Sequence, residues 1–374
     1  MKETAHRPSL AAPVVAPPRR PHLDARAGLV VVAVGSLAAW AALGGEYWSY
    51  VLNIGSVYAL VALSLSVVGW MGEISLGHAA FMGFGVLLAK ELQEAEVPFL
   101  LWFPALVVAS IPVSLLVGAV SLRLQGIYLA IATLSFGMLA DKAIFAKRLG
   151  GSGAVGADSG AVLEKPDILG WHVRSDLAYF FVLLAIVAVV VVVLSAVKRS
   201  GFGKALLALR NSQAGFVSLG YAPSRYRLAA FALSGAVATI AGALYGVQLG
   251  LVSGNPFTTF VSIFLYAVAV VGGVGGIAGP VVAGYAFAAW PYLLEEVLQD
   301  RAIQFANFQY GLAGALVIIL VMFLPGGFQA VIDKGTAAIQ ARSARRAARR
   351  EVRLDGGDVM AIDLAVHETV EASR

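Results

Sequence analysis

Three places in this 374-residue chain hold side chains whose types and spacing could do chemistry. The first is Gly69-Trp-Met-Gly72-Glu73-Ile-Ser75-Leu-Gly77-His78-Ala-Ala-Phe-Met-Gly83-Phe-Gly85. Five glycines fall there within seventeen residues, beside a carboxylate, a hydroxyl and an imidazole. Glycine lowers the cost of a helix break and of close helix approach. Polar groups freed by a break at membrane depth must line a cavity or be buried in protein. Glu73, Ser75 and His78 are therefore candidates to line or gate a permeation path. The plainer alternative is that they sit at a membrane interface, hydrogen-bonded to neighbouring backbone. The second place is an apolar stretch carrying Tyr128, Thr133 and Ser135, whose hydroxyls suit either a path or ordinary interhelical hydrogen bonds. The third is a basic segment, 198–227, with Lys198, Arg199, Lys204, Arg210, Arg225 and Arg227 and no acidic residue.

Enzyme chemistry has little to work with. There is no cysteine, hence no thiolate, disulfide or Cys-ligated zinc. The motifs G-x-x-x-x-G-K-[ST], H-E-x-x-H and G-x-S-x-G are absent, so the chain has no phosphate loop for ATP, no zincin site and no nucleophile elbow. The histidines are His6, His22, His78, His172 and His367, and only His78 falls in an apolar segment. No catalytic residue, metal or cofactor in this chain is expected.

Two more glycine patterns are structural. Gly272-Gly273-Val-Gly275-Gly276-Ile-Ala-Gly279-Pro280 cannot be a regular helix interior, at ~1 kcal/mol per Gly and ~3 for Pro. It suits a tight turn or a re-entrant element and lacks the context of a dinucleotide site. Gly242, Gly246 and Gly250 recur at four-residue steps, a small-xxx-small packing ridge.

The elements that must position these residues follow from composition. Residues of the apolar set make up 59% of the chain and charged residues 13%, and the mean hydropathy is +0.82. A soluble domain is about 45–50% apolar and ~25% charged, so this chain needs lipid as solvent. Spans of ~20 residues are expected near 28–45, 50–71, 75–91, 99–122, 126–146, 177–197, 227–251, 258–275, 280–297 and 306–325. The fold class is thus an all-α polytopic bundle of about ten helices. A signal peptide competes for 28–45, but the 27-residue leader is long for one, and a retained span is expected. The net charge of +5 is sorted by side, which speaks for membrane orientation rather than nucleic acid. The loop 198–227 and the tail with Lys334, Arg342, Arg345, Arg346, Arg349, Arg350 and Arg353 belong inside, and ten spans place both termini there too.

Three domains result: a disordered, proline-rich, basic arm (1–27), a transmembrane domain (28–328), and a cytoplasmic tail (329–374), basic then acidic. The tail's arginines share one helical face suited to an orientation anchor or to lipid headgroups. Within 198–227, Ala205–Leu219 has helical composition, Gly220 suits a C-cap and Pro223 stops continuation. Such a helix either docks into a groove on a cytosolic partner or lies on lipid.

In this order the segments resemble the permease subunits of branched-chain amino acid ABC importers, the LivM type in the LivH/LivM superfamily. Gly72-Glu-Ile-Ser-Leu-Gly-His-Ala-Ala-Phe-Met-Gly83 is similar to the family's G-x-x-S-L-G-H-A-A-F-x-G, and Gly126-Ile-Tyr-Leu-Ala-Ile-Ala-Thr-Leu to its G-x-Y-x-A-I-A-T-L. Gly150-Gly-Ser-Gly-Ala-Val-Gly, Gly203-Lys-Ala-Leu-Leu-Ala-Leu-Arg-Asn, Gly272-Gly-Val-Gly-Gly-Ile-Ala-Gly-Pro and Leu324-Pro-Gly-Gly-Phe complete the likeness, over about 50–328. Leu149, Asn211 and Glu73 depart from the usual pattern. The resemblance implies a coupling helix at 203–220, in which Gly203, Lys204, Leu206, Arg210, Asn211, Leu219 and Gly220 contact an ATPase. ATP and Mg would then be bound by two partner ATPase subunits. It also implies a second, LivH-type permease subunit, a periplasmic or lipid-anchored solute-binding protein, and a bacterial inner membrane. Urea and short amides share the pattern as solutes. A secondary transporter or channel would need ionisable groups deep in its spans, and few exist.

Overall fold

The computed structural model describes residues 44–149, 161–168, 171–252, 257–298 and 326–337, with a few positions between 314 and 323. The chain divides into two units, Leu37–Gly335 and Met1–Ser36 with Thr336–Arg374. Of the second, only residues 336 and 337, at the end of a helix, are described. The expected arm, nearly all of the spans 28–45 and 306–325, and the tail beyond 337 lie outside the described residues.

The helices are α1 (Gly45–Trp70), α2 (His78–Glu94), α3 (Phe99–Ser121), α4 (Ile127–Leu139), α5 (Asp176–Arg199), α6 (Gly201–Asn211), α7 (Gln213–Ser218), α8 (Pro223–Leu249), α9 (Thr259–Gly272), α10 (Ala278–Leu298) and α11 (327–337). Helix α4 runs on through a π-helical turn, Ala140–Phe145, to Arg148. Among the described residues five helices are long and apolar enough to cross a membrane: α1, α3, α4 with its extension, α5 and α8. The protein is a helical, multi-pass membrane protein. Two two-residue antiparallel ladders depart from an all-α description. They pair β1 (Ala161–Val162) with β4 (Leu251–Val252), and β2 (Asp167–Ile168) with β3 (Trp171–His172).

Helix α1 is the axis. From Val51 to Trp70 every residue but Tyr58 is buried, against α10, α8, α5 and α9. Helix α8 is the second core helix and packs on α2, α3 and α1. Small residues make this possible. A β-carbon on Gly242 would stand 2.1 Å from the Met82 carbonyl oxygen, and one on Gly85 would stand 2.0 Å from that of Thr239. The α2 and α8 backbones are therefore in contact, as small-residue faces allow. Helices α3 and α5 keep one face inward and show Val108, Leu116, Val189 and Val192 outward. Local signals set α5: the Ser175 hydroxyl accepts from Ala178 N at 3.1 Å, Asp176 opens the helix and Lys198 and Arg199 close it, each suited to the helix dipole.

Several expected boundaries shift. Helix α1 starts five residues earlier than its expected span, and α8 four residues earlier, because Pro223 is tolerated at a first helical turn. The single loop helix expected over 205–219 is two helices. Ser212 is extended (φ −157°) and its hydroxyl accepts from Gly215 N at 3.1 Å, so a strong N-cap residue restarts the helix there. Gly220 has φ +82°, with Tyr221 N bonded to Phe216 O and Gly220 N to Val217 O, the Schellman closure. The 272–280 cluster is a tight turn between α9 and α10.

Candidate coupling and permeation site

The polar residues of the first glycine-rich segment occupy the connection between α1 and α2, at the end of the bundle that carries α6 and α7. Gly72 takes φ +80° to turn the chain, and the stem of Arg210 lies against it: a β-carbon there would come within 2.9 Å of the Arg210 Cγ. Glu73 follows and is buried. Its Oε2 accepts from Gly126 N at 3.0 Å, at the start of α4. Its Oε1 lies 3.4 Å from Nη2 of Arg227, on α8.

Arg227 is the hub of this cluster. It is buried to about the same degree as Glu73. Nη1 donates to the Ser121 carbonyl at the end of α3 (3.1 Å), and Nη2 to Oε1 of Gln213 at the start of α7 (3.1 Å). With its amide oxygen turned inward, Gln125 accepts from both, at 3.3 and 3.2 Å. One guanidinium thus joins α3, α7, α8, the α1–α2 connection and, through Glu73, α4. Removing one partner of a buried pair leaves an uncompensated charge, at a cost of about 3–5 kcal/mol.

Beyond it runs a chain of neutral groups. Ser234 Oγ donates its one proton to the Ser64 carbonyl (2.7 Å), so the His78 Nε2–H donates to Ser234 Oγ (2.9 Å). His78 Nδ1 then accepts from Ser75 Oγ (3.2 Å), which satisfies a neutral ring on both sides. N–H groups at the approach to α2 and in its first turn also find hydroxyls: Leu76 N, just before the N-cap Gly77, donates to Thr133 Oγ1 at 2.9 Å, and Ala79 N to Ser262 Oγ at 3.1 Å. Ala79 N is among the donors a helix start leaves unmet. Gly77 lets the Thr133 carbonyl approach, and Gly83 lies under the Phe145 ring.

The structure therefore brings Glu73, Ser75, His78 and Thr133 into one buried region. Tyr128 and Ser135 are elsewhere. Both lie on the outward face of α4 with Ile131 and Met138, and Ser135 Oγ bonds back to Ile131 O at 2.9 Å.

The loop helices are tied to this end. Leu206 and Leu209 pack with Trp70, Leu194 and Phe216. Phe216 stacks on Tyr221, and Phe202 on Tyr226. Gly203 lies against the Lys198 backbone. Lys198 Nζ donates to the Gly275 carbonyl and sits 5.8 Å from the Trp70 ring centre. Gln329 on α11 accepts from Ile277 N and Gly279 N (3.2 and 2.9 Å), capping α10. Gly272 meets Pro280, Gly273 and Gly276 meet Gln329, and Gly246 meets Val86. Two basic side chains of this segment, Arg227 and Lys198, are thus engaged by the bundle's own turns, while Arg210, expected to face a partner, rests its stem against Gly72 and is itself exposed. Lys204, Asn211, Arg225 and Leu219 remain on the surface. Among the described residues no group of three or more His, Asp or Glu could hold a metal ion.

A family model described as branched-chain amino acid transport system / permease component matches residues 47–321. The chain belongs to that permease family. The permease is 28% identical over 314 residues to the high-affinity branched-chain amino acid transport system permease protein LivM of Salmonella typhimurium, covering 75% of this chain and 71% of the relative. It is 27% identical, with the same coverage, to the protein of that name from Escherichia coli. No solved structure matches it. The matched range contains every residue of the Arg227 cluster.

Arg227, Gln213, Ser121, Ser234 and Ser262 are the residues that sequence reasoning missed. Arg227 counted only as an orientation charge. The available signal was Glu73, since a carboxylate in an apolar segment calls for a cation.

Proposed function

We propose that the chain is the membrane-spanning subunit of an ABC importer that carries branched-chain or related amino acids across a bacterial inner membrane, driven by ATP hydrolysis on separate subunits. The observation that carries this reading is the attachment of the α6–α7 loop, through Gln213 and Arg227, to the ends of three long apolar helices, in a chain of this permease family. A pull or push on α7 reaches α3, α8 and α4 together. The loop would be cytoplasmic, with the exposed Lys204, Arg210, Asn211 and Leu219 meeting the ATPase and the stem of Arg210 resting on the Gly72 turn. Ten helices with both termini inside, a basic arm (1–27), a permease domain (28–328) and a cytoplasmic tail (329–374) complete the arrangement. A second LivH-type permease, two ATPases holding ATP and Mg, and a solute-binding protein would be its partners. Glu73, Ser75, His78 and Thr133 are the proposed gate beside the path, and the outward Tyr128 and Ser135 would reach it across the subunit interface.

Vesicles holding the full complex test this. Labelled leucine should accumulate only with ATP and binding protein, and more than urea or acetamide. Arg210→Glu should lower the ATPase-to-permease ratio on co-purification. Uptake on an ion gradient without ATP would overturn the importer reading, and an unchanged ratio would overturn the coupling assignment.

A further inference from the structure

A cavity of about 310 Å³ lies among α2, α3, the π-helical end of α4 and α8, apart from the Arg227 cluster. Its walls are apolar, chiefly Phe81, Phe84 and Leu87. Its mouth lies toward the end of the bundle opposite α6 and α7. There it carries one acid, Glu91, and one base, Arg148, both exposed. Neither has an ion-pair partner among the described residues. At its base lies Thr239, 1% exposed, whose Oγ1 has no hydrogen-bond partner among the described residues. The α4 wall depends on the turn Ala140–Phe145. Widening the helix there sets Phe145 over Gly83 and Ile144 on the cavity. Such π turns are rare and are frequent at functional sites.

We propose that this cavity binds a small aliphatic zwitterion, an α-amino acid with an apolar side chain. The carboxylate sits at Arg148, the ammonium group at Glu91, and the side chain among Phe81, Phe84 and Leu87. The charges favour that head: a zwitterion meets both, whereas a monopolar ligand meets only one. The size decides the class. Ligand pockets span about 300–1,000 Å³, and this one is at the small end, too small for a two-chain lipid. A water, at ~30 Å³, fits beside the side chain and satisfies Thr239 Oγ1. The choice of an amino acid over other aliphatic zwitterions rests on the proposed transport function; the site itself rests on the cavity and its charges.

Equilibrium dialysis of the purified full chain with labelled L-leucine tests it. Saturable binding is expected, weakened about tenfold or more in Arg148→Gln, as loss of a charge-assisted hydrogen bond predicts, and abolished in Leu87→Trp, which fills the cavity. 4-Methylpentanoate and isopentylamine, each lacking one charge, should compete at least ~tenfold less well. Should Leu87→Trp fail to fold, the surface variant Arg148→Gln decides alone. No binding to the wild type, or unchanged affinity in Arg148→Gln, overturns the site. So does a phospholipid that co-purifies with the wild type and not with Leu87→Trp while leucine fails to bind. Vesicle uptake separates the two readings: transport without this binding removes the site alone, and this binding without amino acid transport removes the transport reading alone.

Discussion

Two polar clusters hold opposite ends of the same bundle, and they are built differently. At the loop end the centre is a buried guanidinium with a buried carboxylate, and its partners include Gln213 of the soluble loop. At the other end the centre is a pair of neutral amides. Asn53 on α1 donates to Gln248 Oε1 (3.0 Å) and to the Asp176 carbonyl (3.1 Å), and Gln248 donates to Asp176 Oδ1 (3.1 Å). The ion pair that joins it, Lys165 and Asp176 at 2.9 Å, is about a quarter exposed. Water near the second pair screens it, whereas the first has none of that relief. The amide cluster can staple α1, α5 and α8. The charged one also makes the bundle sensitive to the position of α7.

The sharpest break in that comparison is Arg227→Met. It should cost about 3–5 kcal/mol, read as a lower thermal midpoint in detergent. Adding Glu73→Gln should recover part of the loss, because the stranded carboxylate is gone. A double variant no more stable than Arg227→Met would show that the pair does not organise this end. Next in size, Asn53→Ala should cost about 1–3 kcal/mol, the penalty for buried hydrogen bonds left unmet. It should leave leucine uptake per ATP hydrolysed unchanged. If it uncoupled hydrolysis from uptake, the functional contrast between the two ends would fail.

Gln213→Ala sharpens the contrast from the other side. Gln213 is exposed, so stability should change by no more than ~1 kcal/mol, while uptake per ATP falls. Unchanged coupling would place the link between loop and helices elsewhere. Smallest is Lys165→Ala, at about 0–1 kcal/mol and fading with added salt. A larger, salt-independent loss in a melting series would mean that the far cluster is charged in effect as well.

Much of this was legible in the residues, unevenly. Runs such as Val187–Val193 announce a span without help from any neighbour, and Gly220 before Pro223 announces a helix end. The split at Ser212 was also legible, since a serine N-cap sits there, but a helical composition on both sides hid it. His78 illustrates the opposite case. Its type and setting suggested a gate, yet what satisfies it is Ser234, 156 residues away, and no local pattern announces that serine. Tyr128 and Ser135 shared an apolar segment with Thr133, but which hydroxyl turns inward depends on where α2 and α9 pack.

By itself, then, the sequence determined the solvent, the helical class, helix ends such as that at Gly220, and the family. These follow from short-range facts: apolar length against membrane thickness, backbone freedom at glycine, and the order of motifs. The tertiary structure decided which buried polar groups meet. Arg227 could have been a loop charge like Arg225, four atoms of stem reaching for water. It is instead the hub, because α8 packs where Glu73, Ser121 and Gln213 converge, and a charge held away from water must find its partners in the protein.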